Sequence, residues 1–294
     1  MESKSDMKAS ELVLAPDGSL YHIHLSSSTL ADKVLLVGDP GRVDMFKEIF
    51  DSVEHESFNR EMHALTGCYH GTRMTALSTG MGCDNIDIVM TELDAALHVE
   101  HGKWNDSCDR RLQVVRIGTS GSLQAEVDCG SHVASRYAIG LDGLMNYYRE
   151  WDTPLPAMDQ SFMVHMGLNR RLAQPYCVEG SPSLLGSVGM GMHHGITATA
   201  PGFYGPQGRT IRLHPAIKDL NEKLASFEWK DGGGNLRITN FEMETSAIYG
   251  FSHMMGHDAL TVCLIIANRP RGTFLNDYHL QMRQLVGTVV ERLV

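Results

Sequence analysis

The sequence predicts an α/β protein built as three layers, α/β/α, around a central mixed, mostly parallel sheet. Three observations carry this expectation. Short apolar runs recur at 34–37, 74–78, 114–117, 132–139 and 260–267, each suited to a buried strand. Segments of helical periodicity lie between them. Glycine or proline follows most of the runs, and ligands gather at such strand ends in folds of this type.

In chain order, residues 1–20 read as an N-terminal extension of a single domain spanning 1–294, since no linker forces a division. The run 34–37 ends in the turn Gly38-Asp39-Pro40-Gly41-Arg42, and the run 74–78 leads into Thr79-Gly80. A helix opens with Asp84 as its N-cap, places Ile86, Val89, Met90, Leu93, Ala96 and Leu97 on one face, and stops at Gly102. The polar stretch 103–111 reads as a surface loop. After the runs 114–117 and 132–139, the Pro/Ser/Gly-rich stretch 174–195 and the glycines and prolines of 201–208 read as a long ordered loop before or over a site. Gly232-Gly233-Gly234 reads as a hairpin or connector tip. The extended segment 236–239 leads to Glu242-Met243-Glu244 and a helical stretch, and a last helix carries Met282, Leu285, Val286, Val289 and Leu293.

Composition narrows the classes. With 43% hydrophobic and 20% charged residues over 294 positions, the chain has the balance of a globular enzyme. A net charge of −10 argues against partners that are nucleic acids or anionic membranes. No apolar run reaches 18 residues, and the first fifteen residues lack the apolar segment of a secretion signal. The six cysteines are widely spaced without a CxxC pair, which fits reduced thiols and a cytoplasmic location. The fifteen histidines show no metal-ligand spacing, so no metal is expected.

Three segments place an arginine on a Gly- or Thr-rich turn beside apolar sequence: Gly38 to Arg42, Arg116-Ile117-Gly118-Thr119-Ser120-Gly121, and Gly205-Pro206-Gln207-Gly208-Arg209. Glycine turns let backbone N–H groups approach an oxyanion, and guanidinium matches phosphate with two parallel donors. Phosphate is therefore the expected ligand. Arg116 stands inside an apolar strand, where a bare guanidinium is costly, so an anionic partner is expected for it, a bound anion ahead of a structural ion pair. Gly38 to Arg42 alone reads equally as a turn carrying a surface arginine. Glu242 and Glu244 have two readings, carboxylates complementing a helix dipole from its first turn or an acceptor for a sugar diol. Gln207 offers an acceptor and donors while Arg209 offers donors only, a pair able to read the O2, N3–H and O4 edge of uracil and to reject cytosine. Phe203 supplies an apolar wall or packs its own loop.

Taken in order, Gly38-Asp39-Pro40-Gly41-Arg42, Val115 to Gly121, Phe203 with Gln207-Gly208-Arg209, and Asn240-Phe241-Glu242-Met243-Glu244 resemble the nucleoside phosphorylase family with the single-domain α/β/α fold, most closely its uridine phosphorylase branch. The likeness runs from about His22 to the C-terminus. It implies reversible phosphorolysis of uridine to uracil and ribose 1-phosphate, with inorganic phosphate as co-substrate and no cofactor. It further implies that Gly38, Arg42, Arg116 and Thr119 hold phosphate, with Arg60 reaching in from a neighbouring subunit. Glu244 and Met243 would hold the ribose, His22 of the neighbour its 5′-hydroxyl, and Phe203, Gln207 and Arg209 the uracil. Arg116, Glu244, Arg209 and Gln207 would carry the catalysis in a homo-oligomer with shared sites. Purine-specific relatives carry an aspartate after the late strand, where this chain has Asn268-Arg269. Met81-Gly82-Cys83-Asp84-Asn85 departs from the usual small-residue run that, with the counterpart of Glu61, can hold a monovalent cation between subunits, so that cation stays open. A purine phosphorylase, a nucleosidase using water, and a non-catalytic nucleoside binder are the alternatives.

Overall fold

The computed structural model describes residues 8–100, 103–168, 172–232 and 234–294. All five apolar runs lie in strands. β1 (Lys33–Val37) feeds α1 (Pro40–Lys47), and β2 (Ser52–Asn59), β3 (Met62–Tyr69) and β4 (Thr72–Ser78) form a meander. There follow α2 (Cys83–His98), the short strands β5 (Val99–Glu100) and β6 (Lys103–Trp104), then β7 (Gln113–Ser122) and β8 (His132–Gly140). The next elements are α3 (Pro156–Met166), β9 (Tyr176–Glu179), α4 (Pro182–Ser187), β10 (His193–Thr199), α5 (Leu220–Ala225), β11 (Glu228–Asp231) and β12 (Gly234–Glu242). The chain continues through α6 (Thr245–Met255), β13 (Asp258–Asn268), β14 (Thr273–Phe274) and α7 (His279–Leu293).

The main sheet runs β11-β12-β10-β8-β13-β7-β1-β4-β3-β2. Its middle is mostly parallel, with β12 on β10, β10 on β8, β13 on β7, β7 on β1 and β1 on β4. The β13–β8 junction and the outer strands are antiparallel. Alternate residues of β1 explain the layers. Val34 and Leu36 pack with Ile86, Val89 and Leu93 of α2 and Phe251 of α6, while Leu35 and Val37 pack with Val43 and Phe46 of α1 and Leu285 and Val289 of α7. A strand covered on both faces has no polar alternation, so it reads as a continuous apolar run.

One further pairing matters for function. Asn240 and Phe241 of β12 pair antiparallel with Ser122 and Gly121 of β7. Strands β7, β13, β8, β10 and β12 therefore close on themselves, and the end of β12 is drawn against β7.

Several expectations are corrected. The N-cap of α2 is Gly82 (φ +97°), with Asp84 inside the first turn, and the helix ends at His98; Gly102 lies outside the described residues. The stretch 103–111 opens with β6, paired to β5, before running on irregularly. The proposed loop 174–195 contains β9, α4 and the start of β10, because backbone pairing with β8 overrides its proline and glycine content. Asp231 pairs with Gly234 across the β11–β12 turn, as the glycine run suggested, and Gly233 lies outside the described residues. Glu242 ends β12 and Glu244 caps α6, so neither stands in the helix's first turn. No helix among the described residues is long and apolar enough to cross a membrane.

Candidate active site

A cavity of about 840 Å³ opens where the turns after β1 and β12 and the second half of β7 meet the 201–212 loop; the stretch Gly118 to Gly121, expected as a turn, continues β7. Gly38, Arg42, Arg116 and Thr119 line it, as do Met243 and Glu244. Phe203, Gln207 and Arg209 complete the wall. Residues spread over more than 200 positions thus face one space.

Arg42 reaches the cavity because Asp39 caps α1. The Asp39 carboxylate accepts from Gly41 N at 2.9 Å, and Pro40 occupies the first helical position. Arg42 is buried rather than on the surface, and its Nη1 donates to Ile117 O at 3.0 Å. Burial first, and then the nearby Arg116 charge, hold its pKa below the usual arginine value. Two guanidinium groups sharing a buried corner favour an oxyanion between them.

Arg116 is fixed by packing and charge. A Cβ on Gly118 would overlap Arg116 Nη1, so the guanidinium fits only over glycine. Its Nη2 donates to Glu244 Oε2, and Nη1 lies 3.2 Å from Glu242 Oε2. Burial opposes the charge, yet the two carboxylates outweigh it and raise the Arg116 pKa above its ordinary value. Arg116 is therefore ion-paired within the protein, the structural alternative to a bound anion.

Glu244 also accepts from Gly82 N at 2.7 Å through Oε1. Burial pushes its carboxyl above the ordinary carboxylate range, against the opposing pull of Arg116. Glu242 does more than sequence reasoning assigned to it. It accepts from Glu244 N at 2.9 Å, from Thr245 N at 3.0 Å and from Thr199 Oγ1 at 2.6 Å, so it fixes the backbone that carries Glu244. The sequence signal was present, since two carboxylates two residues apart after a strand project to the same side. Cys83 Sγ donates to Met243 O at 3.2 Å and ties down the residue between them.

The third wall is a 3-10 turn, Gly205–Gln207, followed by Gly208 at φ +70°. Arg209 Nη1 donates to Gln207 Oε1 at 2.6 Å and to Phe203 O at 2.5 Å, and its guanidinium lies 3.7 Å from the Phe203 ring centroid. Burial, then the charge of Arg269, bring the Arg209 pKa down to about 10. Arg269 Nη2 donates to Gln207 O at 2.8 Å, so it steadies the turn from behind. Asn268 is engaged elsewhere, donating to Gln124 O and Val127 O at 3.1 and 2.9 Å. That end of β13 thus offers the cavity no carboxylic acid.

Two predicted residues do not line this cavity. Arg60 is exposed at the β2–β3 turn with φ +54°, and His22 is paired with Glu92 on α2. They do share one surface, because Asn59 Nδ2 donates to Tyr21 O at 2.8 Å and His22 O at 3.1 Å. Glu61, next to Arg60, does line the cavity and accepts from Asn85 Nδ2 at 3.2 Å. Asp44, Glu56 and His63 cluster closely enough to hold a metal ion, but the Lys47 ammonium already lies 3.2 Å from Asp44 and pairs with Glu56. All six cysteines are free.

Comparison with known proteins found relatives along most of the chain. The family model of the phosphorylase superfamily matches residues 32–294. A uridine phosphorylase of Thermococcus kodakarensis is 30% identical over 88% of this chain and 80% of its own length. A DeoD-type purine nucleoside phosphorylase of Alkaliphilus metalliredigens is 28% identical over 83% of this chain and 85% of its own. Among solved structures, a nucleoside phosphorylase of Trypanosoma brucei, described as showing uridine phosphorylase activity, superposes with a TM-score of 0.84 at 30% identity, covering 95% of this chain and 99% of that one.

Proposed function

Because this chain belongs to the phosphorylase superfamily, we propose that it cleaves uridine with inorganic phosphate, reversibly, to uracil and ribose 1-phosphate. The observation that carries the reading is that Arg42 and Arg116, Glu244, and the Gln207–Arg209 pair all line one cavity. A phosphate, a sugar diol and a uracil edge each find matching donors or acceptors there.

In this reading Gly38, Arg42, Arg116 and Thr119 hold the phosphate whose oxygen attacks C1′. Glu244 accepts from the ribose 2′- and 3′-hydroxyls, with Met243 beside the sugar. Uracil leaves with negative charge growing on O2 and O4, and Arg209 and Gln207 stabilise it as it develops. Phe203 lines the ring. The absence of an acid from the Asn268 position removes the group that would protonate a purine, which favours a pyrimidine. Arg60 and His22 serve the cavity of a second copy. Supporting this, they share one surface outside their own cavity, and apolar side chains, Met81 and Phe274, stand exposed at the cavity rim.

The test follows uridine cleavage by the absorbance of free uracil, with and without phosphate, and with inosine in parallel. Phosphate-dependent loss of uridine is the expected result. Cleavage without phosphate indicates a nucleosidase, a preference for inosine overturns the role of Gln207 and Arg209, and uridine affinity without turnover indicates a binding protein.

A further inference from the structure

Glu92 lies within α2, away from the cavity, and its side chain is largely buried. Its carboxylate is turned to one short stretch of chain. Oε2 accepts from His22 N at 2.9 Å and from Ile23 N at 3.0 Å, while Oε1 lies 2.5 Å from His22 Nδ1. An ionised carboxylate can only accept, so the imidazole proton facing it sits on Nδ1 and the lone pair of the neutral ring sits on Nε2. The remaining freedom is small. Asn59 holds the carbonyls of Tyr21 and His22, and the Tyr21 ring packs edge-on against the His22 ring at 4.9 Å between centroids.

We propose that Glu92 is a positioning residue that sets the tautomer and direction of His22, so that Nε2 accepts a hydrogen bond from the 5′-hydroxyl of a nucleoside in a second copy's cavity. The inference rests on the uridine-cleaving reading and deepens it. Carboxylates that fix the far nitrogen of a working imidazole are a general device, since the partner of one nitrogen decides what the other can do. Asn59 adds that the His22 stretch and the Arg60 turn are held together, so one rigid element presents both side chains.

The test compares kcat/KM for uridine and 5′-deoxyuridine, which differ only in the hydroxyl at issue. One net hydrogen bond corresponds to a preference of about tenfold for uridine in the unaltered protein. In Glu92→Gln an amide N–H can face Nδ1, which favours the opposite tautomer and leaves Nε2–H to donate to the same hydroxyl. In Glu92→Ala nothing fixes the ring, so the preference falls to near one, as in His22→Ala, and the double variant of Glu92→Ala and His22→Ala loses nothing more. Long-range 1H–15N correlation spectra should show His22 protonated on Nδ1 in the unaltered protein and on Nε2 in the Glu92→Gln variant. Retention of the full preference in Glu92→Ala overturns the proposal, as does protonation of His22 on Nε2 in the unaltered protein. So does an equal loss for both nucleosides, which marks Glu92 as only a structural anchor. Uridine cleavage by the unaltered protein with no preference also overturns it, because no 5′-hydroxyl contact then exists. Cleavage of neither nucleoside overturns the uridine-cleaving reading itself.

Discussion

Arg116 and Glu244, 128 residues apart in sequence, bond directly inside the cavity, Nη2 of the guanidinium donating to Oε2 of the carboxylate. The group expected to hold phosphate and the group expected to hold ribose are therefore one electrostatic unit. With Glu242 at 3.2 Å from Nη1, one buried cation is shared by two buried carboxylates.

Arg116→Ala removes the guanidinium that both carboxylates share. Breaking a buried pair by deleting one partner costs about 3–5 kcal/mol, so urea unfolding should show a loss of that order. The Glu244 carboxyl is already raised by burial, and without Arg116 it rises further. A raised carboxyl favours the folded state when protonated and loses that advantage as pH rises through its folded value. The stability deficit of Arg116→Ala should thus be greatest near neutral pH and shrink under acid. A deficit independent of pH would contradict the charge account. Arg116→Lys restores the charge without the fork and should recover part of the loss.

Gly118→Ala puts a methyl group where Arg116 Nη1 now lies. Overpacking of this kind costs about 1–3 kcal/mol, and here it also displaces the guanidinium. Activity should fall along with stability. In a double-mutant cycle the Gly118→Ala penalty should largely vanish on an Arg116→Ala background, and strict additivity would show that the clash is not with Arg116.

Arg209→Ala should lower uridine turnover by about 10²–10³, the range for loss of one donor to a developing anion, while the KM for phosphate stays near its original value. Steady-state kinetics with each substrate varied in turn checks this. Unchanged turnover would refute the role given to Arg209.

Arg60→Ala and Arg116→Ala should each be inactive alone yet regain some activity when mixed under conditions that exchange subunits. A mixed pair holds one cavity with both changes and one with neither. No recovery despite exchange, verified by mass spectrometry of tagged subunits, would count against a cavity completed by a second copy.

Local sequence determined a good deal of this. Val34 to Val37 and, Arg116 apart, Val114 to Ile117 are apolar without alternation because helices cover both faces of β1 and β7, and the glycine residues that follow them do lie on the cavity. Asp39 and Pro40 mark the start of α1 through capping chemistry that acts over three residues. The strand β2, Ser-Val-Glu-His-Glu-Ser-Phe-Asn, escaped notice because an outer strand exposed along much of its length keeps polar and charged residues. The β9–β10 region escaped it because proline and glycine dominate the local signal, while pairing with β8 decides the structure. Only the tertiary structure decided that Arg116 meets Glu244 and that Glu242 fixes its neighbour's backbone. Both depend on β12 closing against β7 at Asn240 and Phe241, a contact between strands more than a hundred residues apart. Periodicity reports which side of an element is buried; it holds no record of which distant strand will lie beside it, and it was that pairing which brought the arginine and the carboxylates into one cavity.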